Sequence, residues 1–241
     1  MAGRRPTGTW KSRGRHERRD ARGRATPGAV AEHAGSDRRP ALRAHGADEI
    51  RQRLSREAAR IMAEEGVHDF HAAKRKAADQ LNLPEARHLP SNQEIEQALA
   101  EHLQLFHARQ LPQTLQYLRR LALEAMRLLE QFEPRLVGSL LTGHVTRFSE
   151  IQVHVTAGSP EQVAIFLREH GIPYEETSKR LRFGGDRSEI VPVYGFLAED
   201  TTIEVSVFNA TTAREAPLSP VDGRPMKRAG LKEVEASLEM S

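Results

Sequence analysis

The chain has 241 residues, with 36 Lys and Arg against 33 Asp and Glu, no Cys and only 5% aromatic residues. The missing Cys excludes a disulfide framework, a thiolate metal site and a Cys nucleophile, and it fits a reducing, cytoplasmic setting. No apolar run approaches the ~20 residues of a membrane span, the N-terminus lacks the apolar centre of a secretory signal, and so few aromatics leave little surface for stacking single-stranded bases.

The net charge of +3 hides an asymmetry. Residues 1–46 carry twelve Arg and Lys and four Asp and Glu, whereas residues 47–241 carry 24 and 29. The body of the chain is therefore acidic, and whole-chain basicity is no argument for nucleic acid. Residues 1–46 have almost no large apolar side chains. They cannot bury enough surface to offset the entropy of ordering, so a disordered Arg-rich arm is expected. Such an arm can bind nucleic acid or acidic lipid, can act as a transit peptide, or can be only a solvated tail. Trp10 is the one aromatic residue among the arginines, too little for stacking on bases, which favours the tail.

The spacing predicts four helices over 47–132. In the first, 48–65, Ile50, Leu54, Ala58 and Ile61 recur at helical spacing, and Gly66 follows as a left-handed stop. The second runs from about Phe70 to Leu81 with Asp69 as N-cap and Phe70, Ala73, Ala77 and Leu81 inward. Pro84 and Pro90 bracket a loop. Ser91-Asn92-Gln93-Glu94 is a capping box, so a third helix starts there and buries Ile95, Leu99, Leu103 and Phe106. Its His102 and His107, five apart, do not suit a metal pair on one helical face. The fourth, from about Gln113 to Phe132, carries the widest apolar stripe: Leu115, Leu118, Leu121, Ala122, Ala125, Met126, Leu128, Leu129 and Phe132. Pro112 precedes it and Pro134 stops it.

From Arg135 the period changes to alternation. Leu136-Val137 leads into Gly138-Ser139. A strand then places Ile151, Val153 and Val155 on one face and Glu150, Gln152 and His154 on the other. His154 ends this polar row, and a solvated side chain is expected there. Ser159 and Pro160 start a helix that ends at Gly171. Strands at 174–183 and 189–197 flank the turn Gly184-Gly185-Asp186. In a last strand, 202–208, Ile203, Val205 and Val207 point inward and Thr202, Glu204 and Ser206 outward. A polar loop and a short helix at 230–239 close the chain. No P-loop, dinucleotide-binding glycine motif, zinc-protease motif or nucleophile elbow occurs.

Gly138-Ser139, then Gly143 and Ser149, then the alternating strand together resemble the nucleotidyltransferase signature of the DNA polymerase β-like superfamily. That signature reads Gly-Ser, a further Gly, and Ser-Asp-x-Asp on a strand. The resemblance covers about 135–208. It implies an α+β protein, with the helical region 47–132 packed on a small mixed-sheet nucleotidyltransferase-like domain, 133–241. It implies phosphate contacts from Gly138, Ser139 and Ser149, and Mg²⁺ ligands at Glu150, Gln152 and Glu204, with Glu150 and Glu204 catalytic. The implied activity is transfer of a nucleoside monophosphate from a nucleoside triphosphate to an acceptor. GVHDFHAAKRKAADQL, 66–81, also looks like a group of uncharacterised bacterial nucleotidyltransferase-like proteins. Some of these carry a UDP-N-acetylmuramate–alanine ligase label, but this chain lacks the P-loop and the length of such a ligase.

The acids depart from the pattern. Glu150 stands at the first Asp position and Gln152 at the second. Gln152 offers a carbonyl oxygen without charge, which weakens a clamp that needs hard anionic ligands. Two function classes therefore follow: a Mg²⁺-dependent nucleotidyltransferase, or a catalytically inactive nucleotide- or protein-binding module.

Overall fold

The computed structural model describes residues 39–83 and 89–239, and the compact unit it forms begins at Pro40. Nearly all of the basic arm, and most of the loop expected after Pro84, lie outside the described residues. Among those described, the fold is α+β, with seven α-helices and one five-stranded mixed sheet.

Helix α1, Arg39–Glu65, starts earlier than the apolar spacing predicts. Pro40 suits a first helical turn, and Ala41, Leu42 and Ala44 are good helix formers, so propensity extends the helix beyond its core-facing stripe. Gly66 ends it at φ +71°. Helix α2, Phe70–Gln80, is capped by Asp69, whose carboxylate accepts from the Ala72 amide at 2.7 Å. Helix α3, Asn92–Phe106, opens on the reciprocal Ser91–Glu94 capping box. These three helices share one core. Leu54, Ile61 and Ile95 are fully buried, and Ala58, Ala73 and Ala77 let the backbones approach closely. Phe106 departs from the predicted inner face. It sits at the end of α3, 70% exposed, with its ring 4.7 Å from that of His102.

Helix α4, Leu111–Leu128, takes Pro112 into its first turn, where a missing amide hydrogen costs nothing. A 3₁₀ turn, Glu130–Phe132, extends it. Left-handed Glu133, at φ +50°, and then Pro134 end the helical run. Leu118, Leu121, Met126 and Leu129 of this run pack with the sheet. The boundary that periodicity places at 132 thus runs through a single hydrophobic cluster.

Strand β1, Arg135–Val137, leads through Gly138 into a one-turn helix α5, Ser139–Thr142. Strand β2, Ile151–Thr156, is followed by helix α6, Pro160–Glu169. Strands β3, Glu175–Arg182, β4, Ser188–Ala198, and β5, Thr201–Phe208, complete the sheet, and helix α7, Leu231–Glu239, follows. The strand order is β1-β2-β5-β4-β3, with β2 and β5 parallel and every other pair antiparallel. Ile151, Val153, Ile203 and Val205 are buried on one sheet face beneath α4 and α6. Edge strand β3 exposes Glu175, Glu176, Thr177 and Ser178, a polar row that discourages pairing with another chain.

The helical core meets the sheet domain through polar contacts. Arg51 pairs with Glu94 at 3.0 Å within the bundle, and Glu96 beside it pairs with His144 at 2.9 Å. Asn92 donates to the Pro220 carbonyl at 2.7 Å. Gly66 lies under Phe148, so close that a Cβ there would stand 3.0 Å from the ring.

Candidate functional site

Cross-strand register builds the polar face row by row. Val137, Gln152, Glu204 and Gly195 stand side by side, and Arg135, His154, Ser206 and Val193 form the next row. Gln152 and Glu204 are thus direct neighbours on adjacent strands, in the arrangement that the alternation predicts. Glu150 is half-buried, immediately before β2.

The face is not an open one. His154 and Ser206 are buried, 6% and 4% exposed, and Ala213, Arg214 and Arg228 of the segment after β5 stand around His154. The solvated His154 expected from the sequence is therefore corrected: its ring stacks at 4.7 Å on Phe208, and its Nδ1 is buried with no hydrogen-bond partner. Burial, and then the charges of Arg228 and Lys179, push its pKa down to about 4. The ring is neutral near pH 7.

Gln152, Ser149 and Glu204, three of the residues that resemblance marks for nucleotide and metal, are engaged elsewhere in the chain. The amide oxygen of Gln152 lies so near Gly138 that an added Cβ would be 2.6 Å from it, so Gln152 covers the Gly138 turn. Ser139 starts α5 without capping it, and its carbonyl accepts from Gly143 and from the Thr142 hydroxyl. Ser149 closes a local turn, its Oγ accepting from the Thr146 amide at 2.9 Å. Glu204 is 13% exposed at its side chain and forms an ion pair with Lys179 from β3. Sequence reasoning missed Lys179, which carries no motif and reaches Glu204 only through the β3–β4–β5 pairing.

This donor set does not fit a Mg²⁺ clamp. One carboxylate is neutralised by an ammonium, and the neighbouring ligand position is an uncharged amide. Among the described residues, no three His, Asp or Glu converge as metal ligands.

A cavity of about 510 Å³ opens at the carboxyl ends of the parallel strands β2 and β5. Arg135, His154, Phe208, Arg214 and Arg228 line it, together with Glu133. Three local structures bring the arginines there. Arg135 opens β1. The Asn209 carboxamide accepts from the amides of Thr211 and Thr212, starting the 3₁₀ turn Thr212–Arg214. Ala229 pairs with Leu136 through bonds of 2.8 and 2.9 Å, which sets Arg228 beside the start of β1. The one sequence signal for this cluster is Arg214, Arg224, Lys227 and Arg228 against Glu215 and Asp222, a basic excess in an otherwise acidic body.

The chain matches no family model, no curated protein and no solved structure. Among the described residues, no helix is long and apolar enough to cross a membrane.

Proposed function

We propose that the chain is a metal-independent nucleotide-binding module on a nucleotidyltransferase-like domain, without transferase chemistry of its own. The ion pair between Lys179 and Glu204, beside uncharged Gln152, carries this reading. Nucleotidyl transfer depends on divalent cations to neutralise the attacking and leaving oxygens. Such cations need several hard, anionic oxygen ligands in a fixed geometry. Here the best-placed carboxylate already has a cation, and its neighbour supplies no charge. The order of Gly138, Ser139, Gly143, Ser149 and the alternating strand supports the nucleotide part of the reading.

Calorimetry with ATP and GTP tests it, once in EDTA and once with Mg²⁺, alongside an assay for pyrophosphate release over a panel of nucleoside triphosphates and acceptors. Binding of equal strength in both buffers, without pyrophosphate release, is expected. Mg²⁺-dependent release of pyrophosphate would restore the transferase reading.

A further inference from the structure

The cavity at the ends of β2 and β5 concentrates more positive than negative charge. Arg135, Arg214 and Arg228 enter it from three separate pieces of chain, against the single acid Glu133, which is exposed. Among the described residues, none of the three pairs with a carboxylate. Glu215, next in sequence to Arg214, is held elsewhere, by Arg187 at 2.6 Å and by the Gly184 amide at 2.9 Å. Arg228 is half-buried and donates to the Ala213 carbonyl at 2.8 Å. Burial and then the nearby Arg135 charge lower its pKa. Gly230 gives Arg135 its place: a Cβ there would stand 2.8 Å from the guanidinium. His154 lines the floor, with its Nδ1 buried and without a hydrogen-bond partner. Half-buried Arg228 beside the like charge of Arg135 is costly, and a bound anion offsets that cost.

We propose that this cavity binds the phosphate end of a phosphorylated small molecule, with Arg135, Arg214 and Arg228 as its anion ligands and His154 at its floor. Phosphate fits better than carboxylate. A carboxylate has two oxygens and one charge, enough for one bidentate arginine, whereas a phosphoryl or pyrophosphoryl group offers three or more oxygens to guanidinium groups arriving from different sides. The volume suits a ligand of mononucleotide size. The site lies at the opposite end of β2 from the Gly138 turn. The ligand class rests on the nucleotide-binding reading above; the site itself rests on the arginines.

The test is calorimetry with inorganic pyrophosphate in EDTA, repeated with ATP and with citrate. Wild type is expected to bind pyrophosphate and ATP, and citrate at least about tenfold more weakly. Arg214→Gln, Arg135→Gln and Arg228→Gln are each expected to weaken pyrophosphate binding about tenfold or more. Arg214 is exposed, so its variant should keep the fold; melting followed by circular dichroism checks all three, and Arg228→Lys separates lost charge from lost geometry. Absence of pyrophosphate binding, or unchanged affinity in Arg214→Gln and Arg228→Gln, overturns the site. Citrate binding as tight as pyrophosphate overturns the phosphate assignment. If ATP binds equally well to wild type and the arginine variants, the site fails and the nucleotide-binding reading survives. If pyrophosphate binds through the arginines and ATP does not, the site stands and the nucleotide-binding reading fails.

Discussion

Gln152 and Glu204 stand side by side on parallel strands, and Lys179, two strands away, holds the Glu204 carboxylate. A carboxylate beside a second carboxylate repels it and attracts a metal; a carboxylate beside an amide and an ammonium does neither. The chemistry open to these three positions is therefore set by one proton-bearing nitrogen and one amide.

Adding a second acid alone is not enough. Gln152→Asp places a new carboxylate next to Glu204, but Lys179 remains to neutralise the pair. No Mg²⁺-dependent rise in melting temperature is expected for this variant. Removing the ammonium as well, in Gln152→Asp with Lys179→Met, leaves two unpaired carboxylates in register. That double variant should melt lower than wild type in EDTA and recover on adding Mg²⁺, by about 1.4 kcal/mol when Mg²⁺ stands at ten times its Kd. A Mg²⁺ shift of equal size in wild type would mean that Lys179 yields to the metal, and the metal-independent reading would have to go.

The ion pair itself has a measurable asymmetry. Glu204 is far more buried than Lys179, at 13% against 43% side-chain exposure. Lys179→Met strands a half-buried carboxylate and should cost about 1–3 kcal/mol. Glu204→Gln leaves an ammonium that can swing into water, so it should cost clearly less. Urea unfolding of both variants at pH 7 checks the order. Equal losses would show that the pair behaves as a surface contact, worth little to either partner.

Gly138 is the one glycine of the predicted signature whose need for glycine is twofold. Its φ is +82°, and a Cβ would meet the Gln152 amide oxygen at 2.6 Å. Gly138→Ala should cost about 2–4 kcal/mol, combining backbone strain with displacement of Gln152. In a Gln152→Ala background only the backbone part remains, so Gly138→Ala should cost less there. A double-mutant cycle on unfolding free energies reads this coupling. Strictly additive losses would place Gln152 away from the turn.

Periodicity carried much of the fold. The caps at Asp69 and Ser91, the stops at Gly66 and Gly171, and the inward set Ile151, Val153, Val155, Ile203, Val205 and Val207 all follow from local spacing. These features depend on neighbours three or four residues away, or two along a strand. Failures begin where distance in sequence grows. His154 reads as the solvated end of a polar row because alternation says which face a side chain is on, and says nothing of what later covers that face. Phe106 has the spacing of a core residue but lies past the point where α3 meets a neighbour. Lys179 and the three cavity arginines sit in no motif. They meet their surroundings through strand order and through the return of segment 209–229 to β1, which only the assembled sheet defines.

Two histidines give the chain a pH optimum, with opposite signs. His144 gains a carboxylate partner, Glu96 at 2.9 Å, and this hydrogen bond raises its pKa. Its contribution is complete below the unfolded value of about 6.5 and is lost as pH rises through the raised folded value. His154 is the reverse case. It is buried and faces Arg135, Arg228 and Lys179; Glu204 on the same sheet face is already paired, and Glu133 is exposed at the cavity. With a folded pKa of about 4, the unfolded chain binds a proton that the folded chain refuses, so stability falls as pH drops from about 6.5 toward 4. Between pH 7 and pH 5 this amounts to about 2 kcal/mol. His102, whose pKa is also lowered by burial, adds a loss of the same sign. The carboxylates held low by partners, such as Glu94, begin to matter only as pH falls below about 4.5, which leaves pH 5 to 7 to the histidines. His154→Leu removes the titrating group and its orphaned nitrogen while keeping a similar apolar volume. Urea unfolding at pH 5 and pH 7 should show wild type losing stability on acidification and His154→Leu retaining most of it. An identical loss in both proteins would show that His154 accepts its proton in the folded state, and that the cleft around it is wetter than its burial implies.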